Sequence, residues 1–166
     1  MIYKAVNKLD QILHFERAEA HCDIPCGIYD PHQAQIAALT VIRMIDLLND
    51  FVSGPERDVL EFHNTTARYI SVKEEHAELC KREVRVIWGD YFKAEHFEKY
   101  PELPALVHKI MQWGSKSRQT AQREAAVELL NAVNRFAEIY WETKGIITKR
   151  VKAPYKPSEE IVHPIL

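Results

Sequence analysis

Apolar residues recur at alternating spacings of three and four in four stretches of this chain, and that periodicity limits its possible folds more than any other feature. In the first stretch, Asp30-Pro31 is a helix start. Ala34, Ala38, Val41, Ile45, Leu48 and Val52 then form one stripe until Ser53-Gly54-Pro55 ends it. A second helix is predicted from about Val59 to Trp88, with Phe62, Thr66, Ile70, Ala77, Cys80, Val84 and Ile87 inward and Gly89 as its stop. A third covers about Glu102 to Trp113, with Leu103, Leu106, Val107 and Ile110 inward and a break at Gly114-Ser115. The fourth runs from about Gln119 to Thr143 on a face of Ala126, Leu129, Val133, Phe136 and Tyr140, and Gly145 closes it. Four amphipathic helices on short connections predict an all-α fold, an antiparallel up-down-up-down four-helix bundle over residues 30–145. No strand-like alternation competes. Between the second and third helices the chain reads as an irregular aromatic connection. The tail 146–166, with Pro154, Pro157 and Pro164, reads as extended.

A chain of 166 residues suits one domain. Its 22 Lys plus Arg balance 24 Asp plus Glu, and a net charge of −2 gives no general attraction to nucleic acid or an anionic membrane. No apolar run nears the roughly 18–20 residues of a membrane span, so a soluble protein is expected. The 5 glycines form no phosphate-binding loop, which excludes P-loop and dinucleotide-binding folds. In residues 1–20, Val6, Leu9, Ile12 and Leu13 sit among charges. That segment lacks the unbroken apolar stretch of a secretory signal, so a cytoplasmic location is expected.

The chemistry concentrates in residues 21–29, HCDIPCGIY. His21, Cys22 and Cys26 offer one imidazole and two thiolates, a mixture suited to zinc, copper or nickel. The third cysteine, Cys80, falls within a predicted helix, and no second cysteine pair completes a structural zinc site. A di-iron bundle would need two Glu-x-x-His motifs, and the single one here joins Glu160 to His163 in the tail. A Cys22–Cys26 redox pair stays open. Cleavage between Ala20 and His21 would supply the missing ligands. The freed His21 amine and the deprotonated Cys22 amide, with both thiolates, make a planar N2S2 set suited to Ni(II) or Cu(II), and the His21 imidazole can add an axial position.

HCDIPCGIYDP resembles the metal-binding hook of nickel superoxide dismutases. The segment from Asp90 to Leu103, DYFKAEHFEKYPEL, and the helix end YWETK, from Tyr140 to Lys144, are similar to the same family. The likeness covers about residues 21–144, with an apparent insertion near residues 50–65. It implies a pro-segment at 1–20, a nickel hook at 21–29, the bundle at 30–145 and a C-terminal extension at 146–166. It implies one nickel ion per subunit, held by the His21 amine and imidazole, the Cys22 amide and thiolate and the Cys26 thiolate. It also implies dismutation of superoxide to oxygen and hydrogen peroxide by Ni(II)/Ni(III) cycling, a homohexamer and a maturation protease.

By the same resemblance, Tyr29 stands over the vacant face of the metal, Tyr91 hydrogen-bonds near it, and Asp23 helps order the hook. Lys93, Arg118 and Lys144 match basic residues proposed to attract superoxide. Where the family usually carries a Glu and an Arg that fix the axial imidazole, this chain has Ala37 and His76, and His76 or a water is expected to orient His21 instead. Two other functions compete: a non-catalytic nickel, copper or zinc carrier using the same hook, and a thiol oxidoreductase using Cys22 and Cys26.

Overall fold

The computed structural model describes residues 27–166. Five α-helices, a π-helical turn and a two-stranded hairpin follow one another: α1 (His32–Val52), α2 (Val59–Val86), the π turn (Ile87–Tyr91), α3 (Ala94–Lys99), α4 (Leu103–Gln119), α5 (Arg123–Thr143), β1 (Thr148–Lys152) and β2 (Glu160–Pro164). The four long helices touch in a cycle, α1 on α2, α2 on α4, α4 on α5 and α5 on α1. Their shared core holds Ile42, Ile45, Leu103, Ile110, Leu129, Phe136 and Tyr140, all fully buried.

Local chemistry sets the helix ends. The Asp30 carboxylate accepts the His32 N–H at 2.8 Å, and α1 starts at His32, one residue after the Pro31 start that the Asp-Pro signal suggests. Asp58 caps α2 by accepting from the N–H groups of Leu60 and Glu61. At the C-terminal end of α4, the buried Lys73 ammonium donates to the carbonyls of Arg118 and Thr120 at 2.7 and 2.8 Å. A lysine from a neighbouring helix thus satisfies carbonyls that α4 leaves open. Burial holds the Lys73 pKa below its ordinary value, against a smaller opposing effect of Glu74.

Several expectations are corrected. The break at Gly114-Ser115 is absent, and α4 runs through to Gln119. Gly114 is buried because the stem of Lys81 crosses it: a Cβ there would stand 2.8 Å from Lys81 Cγ and Cδ. Gly89 does not terminate a helix outright, since the backbone widens into the π turn around it. Val52 and Ile70, read as inward, are 55% and 36% exposed. Lys73 meets the end of α4, so residues 59–72 of α2 continue past that end by about 20 Å at 1.5 Å per residue. On this overhang Phe51 stacks on Phe62 with ring centroids 5.7 Å apart, while Val59 and Leu60 stay exposed.

The tail, expected to be extended, folds into a β-hairpin. β1 and β2 pair antiparallel with Val151 opposite Ile161. Ile161 and Val162 are buried, and Gln35 on α1 grips the backbone of Val162 from both sides, accepting its N–H at 2.6 Å and donating to its carbonyl at 3.1 Å. Asn134 on α5 donates to the Glu160 carbonyl, and Arg123 bridges Asp46 and Glu159. The hairpin covers the outer side of α5, which explains why α5 is buried beyond its bundle-facing stripe.

Candidate metal centre

The aromatic connection and the last turn of α5 meet where the chain comes in from residue 26. Gly27, Tyr29, Asp90, Tyr91, Lys93 and His96, together with Glu95, line a hollow of about 330 Å³. Gly27, to which Cys26 is joined, has φ +69°, a left-handed backbone that glycine adopts without a side-chain penalty. The Tyr29 and Tyr91 rings lie 5.9 Å apart, and Tyr91 stacks on His96 at 5.4 Å with an interplanar angle of 13°. His96 Nδ1 also accepts the Lys93 N–H at 3.0 Å, which fixes the start of α3.

Helix α5 supplies the back of this assembly. Tyr140 is 1% exposed and its hydroxyl donates to the Tyr29 carbonyl. Burial, then the nearby Tyr91, Asp30 and Tyr29, push the Tyr140 phenol up to about 12. The Thr143 hydroxyl lies 2.6 Å from the Tyr91 hydroxyl and 2.6 Å from the Tyr140 carbonyl. Lys144 places its ammonium 4.7 Å from the centre of the Tyr91 ring and 5.2 Å from that of Tyr140.

The expected site residues separate into groups. Tyr29, Tyr91, Lys93 and Lys144 come together. Arg118 does not join them within this chain. It lies in the last turn of α4, ion-paired with Glu78 at 3.0 Å and Glu74 at 4.0 Å. The 21 residues of α5, about 31 Å, separate that turn from Lys144. His76 is half-buried on α2, and its Nδ1 donates to the Val72 carbonyl at 2.8 Å, which leaves Nε2 to face other groups. Ala37 is buried in the core. His21, Cys22, Asp23 and Cys26, with the cut after Ala20, lie outside the described residues. Tyr140, Thr143 and His96 were not picked out from sequence. Tyr140 reads there as an ordinary core position, and only its place in YWETK pointed elsewhere.

The donor set fits nickel. Among the described residues no group of three or more His, Cys, Asp or Glu is placed to hold a metal ion. Cys80 is fully buried on α2, and desolvation pushes its thiol up to about 12, so it supplies no thiolate near neutral pH. The nitrogen and sulfur donors of residues 21–26 therefore stand as the candidate ligands, one peptide bond from the wall of the hollow.

Known proteins match this arrangement. The family model described as nickel-containing superoxide dismutase matches residues 16–144. The protein named superoxide dismutase [Ni] of Streptomyces coelicolor is 38% identical over 125 residues, covering 75% of this chain and 88% of its own length. That of Streptomyces seoulensis is 37% identical over 128 residues, covering 77% and 91%. Among solved structures, native nickel superoxide dismutase superposes with a TM-score of 0.65 at 37% identity, over 75% of this chain and 99% of that one. A nickel-containing superoxide dismutase after partial X-ray-induced reduction gives 0.66 at 35% identity over the same shares. The matched span holds both the hook sequence and every residue of the hollow, and the chain belongs to the nickel-containing superoxide dismutase family.

Proposed function

We infer that this chain is a nickel-dependent oxidoreductase that converts two superoxide anions and two protons to oxygen and hydrogen peroxide. The observation that carries this reading is the family match over residues 16–144. The hollow of Tyr29, Tyr91, Lys93 and Lys144 at the mouth of the hook supports it. When bound, nickel supplies the Ni(II)/Ni(III) couple that takes an electron from one superoxide and returns it to another.

His21, Cys22 and Cys26 hold the metal after cleavage behind Ala20. The His21 amine and imidazole, the Cys22 amide and thiolate and the Cys26 thiolate are the ligands. Thiolates and an amidate are anionic, and they stabilise the higher metal charge. Asp23 helps order the hook. Tyr29 and Tyr91 wall the hollow and limit it to small molecules and water. Lys93 and Lys144 bring two positive charges to a hollow that Asp90 and Glu95 also line, and these two lysines raise the encounter rate with an anion in a protein of net charge −2. Arg118 is assigned instead to holding α4 against α2, given its pairing with Glu78. His76, through Nε2 or a water, orients the His21 imidazole in place of the family's Glu and Arg.

The long helices form an up-down-up-down bundle, a reading supported by their cyclic contacts and short connections. Residues 1–20 are a pro-segment, 21–29 the hook, 30–145 the bundle domain and 146–166 an extension. Assembly as a homohexamer, a maturation protease and a cytoplasmic location complete the proposal. No helix among the described residues is long and apolar enough to cross a membrane.

The test uses protein cut to begin at His21 and loaded with nickel under reducing conditions. A rhombic Ni(III) EPR signal with nitrogen hyperfine splitting, together with catalysed superoxide decay, is the expected result. Bound metal without Ni(III) or turnover would establish the carrier, and metal loss with a Cys22–Cys26 disulfide the thiol oxidoreductase. Uncut protein is expected to be inactive, because the His21 nitrogen is then an amide. In His76→Ala, altered Ni(III) spectra and lower turnover are expected, and unchanged values would remove His76 from the site.

A further inference from the structure

We propose that Thr143 is a positioning residue that fixes the polarity of the Tyr91 hydroxyl, making its oxygen a hydrogen-bond acceptor toward any further partner. The proposal deepens the dismutase reading and rests on it for its consequence, while its structural core stands on hydrogen-bond counting.

A threonine hydroxyl has one proton and two lone pairs. Thr143 Oγ1 lies 2.6 Å from the Tyr140 carbonyl oxygen and 2.6 Å from the Tyr91 hydroxyl. The carbonyl can only accept, so the single Thr143 proton goes there. The contact with Tyr91 must then run the other way, with the phenol donating to Thr143 Oγ1. Tyr140 is held in place in turn, because its own hydroxyl donates to the Tyr29 carbonyl. The order of donation is therefore Tyr91 hydroxyl to Thr143 hydroxyl to Tyr140 carbonyl, and each link leaves the next with one choice.

The consequence concerns what the hollow can hold. The Tyr91 proton is committed, so the phenol does not donate to an anion. Its remaining lone pair accepts from a water or from a protonated species such as hydrogen peroxide. Attraction of an anion then falls to Lys93 and Lys144, which have protons to offer. Tyr91 is removed as a direct proton source for superoxide. A water held by Tyr91 takes that place, with one O–H on the phenol oxygen and the other available to the anion.

The direct test is a neutron structure of the deuterated wild-type protein. A deuteron on the Tyr91 oxygen directed at Thr143 Oγ1, with the Thr143 deuteron directed at the Tyr140 carbonyl, is expected. A Thr143 deuteron directed at Tyr91 would overturn the proposal. The second test measures azide affinity, as a small-anion probe, in the processed nickel-loaded protein. Thr143→Val removes the acceptor, frees the phenol to donate and should tighten azide binding about tenfold, the size of one added charge-assisted bond. Thr143→Ser keeps the relay and should bind azide as the wild type does. Equal azide affinity in all three proteins, or a serine variant that behaves like valine, would refute the positioning role. A wild-type protein without dismutase activity would overturn the functional reading instead, and the neutron map decides the hydrogen-bond order by itself.

Discussion

Tyr140 shows how much a single hydroxyl can organise. It is buried against the bundle core, yet its oxygen reaches the carbonyl of Tyr29, two residues beyond Gly27. Tyr140→Phe leaves that carbonyl without its partner and should cost about 1–3 kcal/mol in urea unfolding. It should also loosen the hook's anchor, seen as faster nickel loss to a chelator. The raised Tyr140 pKa means the folded chain keeps the proton longer than the unfolded chain does. Its contribution is therefore complete below about pH 10 and is lost as pH rises toward about 12. The phenylalanine variant should flatten that part of the stability profile. The basic residues give a second contrast. Lys93→Gln and Lys144→Gln should each slow the bimolecular reaction with superoxide about three- to tenfold and weaken its salt dependence. Arg118→Gln should leave the rate unchanged and lower stability through its lost pairing with Glu78. Pulse radiolysis at several ionic strengths separates the two sets.

At the scale of elements, the helices were legible because each repeats its apolar stripe over about two turns or more, and Asp30-Pro31 is a local start signal. The misread places depended on contacts distant in sequence. Gly114 reads as a break until Lys81 of α2 is seen lying across it. Val52 and Ile70 continue the stripes of α1 and α2, but at these positions they find too little to pack against and stay 55% and 36% exposed. The hairpin is shortest of all, with five-residue strands too brief for period-two alternation to register, and its order comes from α1 and α5. Gln35 looks like an ordinary polar helix residue in the sequence, yet both of its amide atoms serve Val162. Gln35→Ala should leave a buried N–H and a buried carbonyl without partners and cost about 2–4 kcal/mol. Hydrogen exchange should show the loss first in β2, with the long helices still protected. In the hollow, the basic and aromatic residues were legible by resemblance, whereas the Thr143 and Tyr140 links were not, since residues at that spacing look like routine helix packing.

At the scale of the whole molecule, the family match ends at residue 144 and the hairpin begins at Thr148, so the hairpin is an addition to the matched framework. It is nonetheless integrated, through Arg123 to Glu159 and Arg150 to Glu138 as well as through Gln35. Its second strand runs back toward the first turn of α1, where the His163 and His32 rings lie 6.0 Å apart. His32 is only a few residues from Gly27, so the end of the chain returns to the neighbourhood of the hook's root. That proximity bears on how the protein is produced. A polyhistidine purification tag fused after the fully exposed Leu166 would add imidazole ligands to the same chain and compete with His21, Cys22 and Cys26 for nickel. Nickel stoichiometry measured on such a fusion would count tag and hook together, and the tag has to be cut away before one ion per chain means one ion per site.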